Sequence, residues 1–393
     1  MKRYCSSCLL GAALAFAGCA TPSHAPPRPL TGDPVIDGQD AIQRGPPRDR
    51  VLWQYRMASA AMRRGNFTEA KQLLDDATAS VEGVFAGDKE AKKSRGYFSP
   101  EARKTFLGEP YERVMAYYYR GILYWMDGEP DNARACFRSA AVQDADTVDK
   151  TYASDYVLLD YLDGLATLKL GGDGSDAFKR AKAECKMAIP PDPNPKANVL
   201  VFVEFGDGPT KFASGQYGEQ LRFRAGISTA REARIRIDQQ STAHVGPHDD
   251  LYFQATTRGG RVMDHILANK VVFKNATDAA GTAGLVSGVV LAGSRDRTTR
   301  EVGLGLAAAG LFSKIVSAST TPQADTRSWE SLPLFLTFAA LEAPPGPHTA
   351  TVEFLDANRN VIPGLTKTFT ITVPAAGDKV VFVSDKSSTP QSL

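Results

Sequence analysis

Four prolines within six residues, Pro190, Pro191, Pro193 and Pro195, divide this chain into two stretches of different grammar. Neither a helix nor a central strand tolerates such a cluster, because each proline lacks an amide donor and fixes its own φ. Upstream, alanine, glycine and tyrosine recur at helical spacing. Downstream, residues 199–203 read Val-Leu-Val-Phe-Val and residues 234–238 alternate as Arg-Ile-Arg-Ile-Asp. β-branched runs and period-two alternation are the marks of strands. Residues 334–341, 349–355 and 369–373 have the same character, the last two separated by turn residues including Pro363 and Gly364. The expected fold is therefore α+β and multidomain, with a helical part at residues 49–190 and a β-rich part at residues 197–375. A small β-sandwich of immunoglobulin-like form is the economical expectation for the second part.

Within the helical part, Ala58, Ala61, Gly65, Phe67, Ala70, Leu74 and Ala77 resemble the tetratricopeptide repeat. Small residues stand where two helices would touch, and a glycine stands at the turn. Tyr117, Gly121, Tyr124, Gly128, Pro130, Ala133, Phe137 and Ala140 repeat that spacing, and a third copy over residues 155–185 uses Tyr161, Leu168, Gly172 and Ala177. The turn glycines 65, 128 and 172 are 63 and 44 residues apart, against a family period of about 34, so the repeats are interrupted. Residues 81–110, with Gly87, Gly96, Pro100 and Gly108, read as an inserted loop with one short helix. Such arrays line a concave surface with their first helices, and that surface usually receives a peptide or a partner helix. Tyr55, Tyr118 and Trp125 are the candidate partner-binding residues. Tyr118 and Trp125 lie seven residues apart on one helix face, which suits core packing as well as partner contact.

The first 18 residues have the tripartite form of a signal peptide, with Lys2 and Arg3, an apolar run over residues 8–17 and small residues after it. The run is too short to span a bilayer. Phe16-Ala17-Gly18-Cys19 resembles the lipobox of bacterial lipoproteins, in which the cysteine thiol accepts the lipid; Phe16 stands where Leu or Val is usual. That resemblance implies a membrane anchor at Cys19, and Ala20 and Thr21 after it imply the outer membrane, facing the periplasm. Residues 19–48 carry seven prolines and read as an extended tether. A Gly/Ala-rich stretch at 278–318 has a charged centre and uncharged flanks of fifteen and twelve residues, and reads as a helical hairpin inserted in the β part. Gly284 and Gly288 give it a small-residue face for self-packing or a homo-oligomer contact. Residues 376–393 read as a C-terminal tail.

Three motifs carry a wider resemblance: Pro110-Tyr111-Glu112-Arg113, Glu204-Phe205-Gly206-Asp207-Gly208-Pro209-Thr210-Lys211, and Asp325-Thr326-Arg327-Ser328-Trp329-Glu330-Ser331-Leu332-Pro333. In this order they resemble a bacterial family of tetratricopeptide-containing lipoproteins. The resemblance covers most of residues 50–375 and implies a role in cell-envelope assembly or maintenance, with no reaction attached.

No phosphate-binding loop, His-Glu-x-x-His or Gly-x-Ser-x-Gly occurs in the sequence. Lys and Arg number 46 against 44 Asp and Glu, and without Lys2 and Arg3 the balance is zero, so no nucleic-acid partner is expected. His244, His248, Asp249 and Asp250 form the sole cluster of metal-ligand types, and their Gly/Pro-containing surroundings read as a solvated loop. Cys136 and Cys185 read as unpaired core residues. Asp155, Asp160 and Asp163 read as a solvated acidic helix face, and Asp325, Arg327 and Trp329 as an internal brace. No catalytic residue, cofactor or metal is expected. The expected function is a non-catalytic scaffold for an envelope protein or peptide segment; the alternative is an enzyme acting on cell-wall or surface polysaccharide.

Overall fold

A computed structural model describes residues 29–94, 105–146, 150–216, 218–238, 241–257, 324–388 and 391–392. The chain is α+β, with a helical N-terminal part followed by strands. Seven helices come first: α1 (Pro34–Arg44), α2 (Arg50–Arg64), α3 (Phe67–Ser94), α4 (Pro110–Met126), α5 (Pro130–Asp144), α6 (Val157–Lys169) and α7 (Ser175–Glu184). α2 with α3, α4 with α5, and α6 with α7 pack as pairs, and successive pairs are neighbours. Gly65 and Gly128 end α2 and α4 with left-handed φ of 75° and 79°. That conformation suits glycine because it has no Cβ to clash with the preceding turn. In the third pair the left-handed residue is Gly171, one before the expected Gly172. Close approach within a pair rests on a small residue facing a ring: a Cβ on Gly121 would lie 2.5 Å from the Phe137 ring, and one on Gly164 would lie 2.9 Å from Phe178.

Two expectations fail on the helical side. Residues 19–48 are not a tether throughout, because α1 occupies 34–44. Its Pro34 stands in the first turn, where the missing amide costs nothing, and Pro46 and Pro47 follow its end. Asp33 caps it by accepting from the Val35 amide at 2.9 Å, and Gly38 lies against Met57 of α2. The stretch 81–110 does not open as a loop either, since α3 runs on to Ser94. Gly83 and Gly87 weaken that helix without breaking it, at about 1 kcal/mol each relative to alanine.

The strands are β1 (Val199–Phe205), β2 (Thr210–Ser214), β3 (Gln220–Arg224), β4 (Glu232–Ile237), β5 (Ser241–Val245), β6 (Asp249–Asp250), β7 (Phe335–Leu341), β8 (Gly346–Leu355), β9 (Lys367–Val373), β10 (Lys379–Ser384) and β11 (Gln391–Ser392), with a short helix α8 (Leu251–Thr256) after β6. One sheet has the order β11-β10-β1-β7-β6, with β1 and β10 parallel and its other pairs antiparallel. A second has the order β5-β4-β8-β9, antiparallel throughout, and β2 with β3 forms a separate hairpin. The expected tail at 376–393 is thus corrected: Val380-Val381-Phe382-Val383 sits beside β1 in the middle of the first sheet, with every residue of β10 buried.

Register decides which side each residue faces. Leu200, Phe202, Leu336, Phe338, Val380 and Phe382 join the helical core, whereas Val199, Val201, Val203, Phe205, Val381 and Val383 join a core shared with Ile235, Val352, Phe354 and Ile371 of the second sheet. The layers therefore run helices, first sheet, second sheet. β1 is buried at all seven positions because it is covered on both faces.

Alternation along β1 places Glu204 on the helix side, where it is 1% exposed. Arg63 of α2 donates through Nε to its Oε1 at 2.8 Å, and Nη2 lies 2.7 Å from the same oxygen without a second well-directed hydrogen bond. The Tyr119 hydroxyl of α4 donates to Oε2 at 2.5 Å. One carboxylate thus joins two helix pairs to the central strand. Glu204→Ala is expected to lower stability by about 3–5 kcal/mol, because it leaves a buried guanidinium without its counter-charge. Chemical denaturation would measure this, and a loss below about 1 kcal/mol would contradict the assignment.

Candidate functional site

The expected groove residues lie inside the molecule. Tyr55, Tyr118 and Trp125 are 1%, 2% and 1% exposed, because the chain's own sheet and the segment before β7 cover the helix face on which a partner was expected. The Tyr55 ring stacks on Trp329 with centroids 4.6 Å apart and planes 16° from parallel. Tyr118 meets Phe202 of β1 edge-on at 6.3 Å, and Trp125 packs beside Phe137 at 6.2 Å. Burial corrects their assignment as an exposed recognition surface. Cys19 and the hairpin expected at 278–318 lie outside the described residues.

The three sequence motifs meet at the helix–sheet seam. Glu112, within the α4 motif, accepts from its own capping-box amide at Glu109 (2.7 Å), from the Trp329 amide (2.7 Å) and from Lys211 Nζ (2.5 Å). Glu112 and Lys211 are both sealed from solvent. Burial pulls the Lys211 pKa below its usual value, although Glu112 beside it opposes the shift. Lys211 also donates to the Arg327 carbonyl at 2.9 Å, and Arg327 is held by Asp325 and Asp49, each at 2.6 Å. The Trp329 indole N–H is shared between the Ser59 and Ser331 hydroxyls at 3.1 Å. These contacts agree with the brace expected of Asp325, Arg327 and Trp329. Their partners are fixed protein groups, so the arrangement serves packing.

The carboxylates of α6 are not a solvated face. Asp160 pairs with Arg180 of α7 at 2.8 Å, and Asp163 accepts from Arg134 and Arg138 of α5 at 2.8 and 3.1 Å. Asp155 is buried, with Lys186 3.6 Å away. The expected solvated loop at 244–250 is likewise corrected. His244 lies on β5; His248 is buried, its Nδ1 2.8 Å from the Ala188 carbonyl and its Nε2 3.3 Å from that of Phe338. Asp250 caps α8, and Asp249 caps α6 from a distant part of the chain by accepting from the Val157 and Leu158 amides at 2.8 and 3.0 Å. Among the described residues no group of three ligand-type side chains could hold a metal ion. Cys136 and Cys185 are free thiols, and burial pushes the Cys136 thiol up to about 11.

A polar cleft of about 440 Å³ opens where the helical part meets the sheets. The turn after α4 contributes Gly128 and Pro130, the segment before β1 contributes Pro195, Lys196 and Asn198, and the β9–β10 turn contributes Pro374 to Asp378. Asp378 is fixed between two donors, Trp125 Nε1 at 3.0 Å and Lys169 Nζ at 2.6 Å, and Lys169 also donates to the Ala197 carbonyl. Trp125 therefore belongs to the core by its ring and to the cleft wall by its N–H edge. The Lys169–Asp378 pair offers fixed charge to a polar ligand, with proline and alanine as its nonpolar walls. Helical spacing pointed to Trp125, but Lys169 and Asp378 carry no local motif and become neighbours only through the sheet's closure.

Compared with known proteins, the chain matches no family model, no curated protein and no solved structure. Among the described residues, no helix is long and apolar enough to cross a membrane.

Two measurements follow from this geometry. Trp125→Ala should cost about 3–5 kcal/mol of fold stability, as for other buried tryptophans; an unchanged melting temperature would return the ring to a surface. Burial, with Asp155 and Asp144 nearby, pushes Asp249 up to about 7 against the opposing pull of its two amide donors. The folded state then keeps a proton that the unfolded chain releases above its ordinary pKa near 4, so stability contributed at low pH is lost as pH rises from about 4 to about 7. Asp249→Asn should flatten that part of a stability-versus-pH curve, and an unaltered slope would refute it.

Proposed function

We propose that the chain is a periplasm-facing lipoprotein, anchored in the outer membrane through Cys19, that works as a non-catalytic protein-interaction scaffold in cell-envelope assembly or maintenance. On this reading the helix pairs are a tetratricopeptide-like array, the two sheets are a sandwich-like unit, and residues 278–318 are a helical hairpin inserted in it. The signal-peptide form of the first 18 residues and the Phe16-Ala17-Gly18-Cys19 motif support the anchor. Lipid attachment at that cysteine adds two acyl chains, enough for lasting membrane residence where one alone binds marginally.

The observation that carries the scaffold reading is the cleft at the junction of helices and sheets. Because the sheet fills the helices' own face, the partner seat moves from the expected groove to this cleft. Pro130, Pro195, Pro374 and Ala376 give it walls without flexible side chains, and Lys169 and Lys196 give it positive charge beside Asp378. Rigid nonpolar walls with one fixed ion pair suit an extended segment of an envelope protein, bound through its backbone and an acidic side chain.

Affinity capture from crosslinked envelopes is expected to recover an envelope protein with the wild-type chain. Recovery should be lost with the cleft-filling Ala376→Trp and the charge-reversing Lys196→Glu, at unchanged melting temperature. Undiminished recovery with both variants would overturn the cleft as the partner seat. Turnover of a cell-wall or surface polysaccharide that disappears in Ala376→Trp would replace the scaffold by an enzyme.

A further inference from the structure

The N-terminal side of the helical part carries an apolar face without cover from the rest of the described chain. Leu30 and Ile36 are 71% and 55% exposed, although burial is the usual fate of such side chains. Leu30 lines a hollow of about 290 Å³ whose wall also includes Pro34, Trp53, Arg56 and Glu330, and Ile36 lies on α1 two residues beyond Pro34. Trp53 is partly exposed, and the Arg56 guanidinium lies 4.9 Å over its ring. Arg50, one turn earlier on the same helix face, is exposed. Asp37 keeps the approach to this face in place by accepting from the Thr31 and Gly32 amides at 2.7 and 3.0 Å.

We propose that this face rests on the lipid headgroup layer, with Leu30 and Ile36 entering the interface and Trp53 lying at its boundary. The proposal rests on the anchor at Cys19. Only residues 20–28 separate that cysteine from the first described residue, and the ten steps from residue 19 to residue 29 reach at most about 36 Å when fully extended. A compact body of this size is about 50 Å across. The leash is shorter than the body it holds, so it brings the Leu30 side to the bilayer and keeps the far side away. The chemistry of the face matches that surface. Tryptophan is favoured at the membrane–water boundary because its ring is apolar and its N–H polar. Arg56 is held by the Ser328 carbonyl at 2.8 Å and by Glu330 at 3.3 Å, so exposed Arg50 is the arginine beside Trp53 that reaches lipid phosphates with a planar, multiply donating group.

Intrinsic fluorescence tests this directly, because Trp125 and Trp329 are buried and Trp53 is the partly exposed member of the three tryptophans. The full-length processed chain is reconstituted in phosphatidylethanolamine–phosphatidylglycerol vesicles whose acyl chains carry bromine near the headgroup. Bromine should quench a component of the emission that Trp53→Phe removes. The double variant Leu30→Ser, Ile36→Ser should reduce that quenching several-fold while acylation, read by mass, and flotation with vesicles are retained. An acylated, floating chain whose Trp53 emission is insensitive to bromine overturns the lipid contact and leaves the anchor standing. Trp53 shielded from acrylamide but not reached by bromine assigns the face to a second copy or another protein, and likewise overturns it. A chain that is neither acylated nor vesicle-bound overturns the anchor, and this proposal with it.

Discussion

Seven consecutive buried residues in β1 require apolar cover on both faces of one strand. An antiparallel sheet at a protein surface would supply cover on one face only, with solvent on the other. Here the helices supply one layer and the second sheet the other, and neither is dispensable to the strand between them. The boundary at Pro190–Pro195 therefore marks a change in chain direction and local structure, while packing continues across it. Leu200, Phe202 and Phe338 share a core with Tyr118, Leu162 and Trp329.

A face that is apolar along most of its length meets the helices through a few polar groups, and these determine how the layers register. Glu204 occupies a position where alternation calls for an apolar side chain. With Arg63 and Tyr119 as partners, it fits only when two helix pairs sit correctly on the strand. Glu112 does the same between α4, the β2 strand through Lys211, and the Trp329 segment. Buried ion pairs of this kind add little net stability over well-packed apolar groups, because removing both charges from water is costly. Their effect on geometry is larger: a β1 shifted by one residue would turn Glu204 to the other face, among side chains that cannot answer it.

Local pattern exposed some of this arrangement and concealed the rest. Helix starts and stops were legible where small residues, Gly65 and Gly128 marked them, and β1 was legible as a β-branched run. The motifs at 110–113, 204–211 and 325–333 were visible as strings, but their meeting at Glu112 depends on chain segments more than two hundred residues apart. α1 was hidden by its prolines, although Pro34 stands at the one helical position that accepts them. β10 has as plain a strand signal as β1 and was obscured only by its place near the end of the sequence. For the expected binding residues, helical spacing identified the correct face. What covers that face depends on a sheet whose strands come from both ends of the β region. Lys169 and Asp378 were illegible for the same reason.

The parallel pairing of β1 with β10 also orders events during synthesis. Residues 199–204 find their neighbours at 379–384, about 180 positions later, so the helices that emerge first wait for their cover until β10 has followed. During that interval Tyr118, Phe202 and the rest of the unmatched layer face water, and an uncovered strand invites pairing with another molecule. Long-range pairing of this kind forms slowly, because the intervening loop must close before the contact repays it. A chain built in this way depends on staying free of such pairing until β10 has been made and can close the layer.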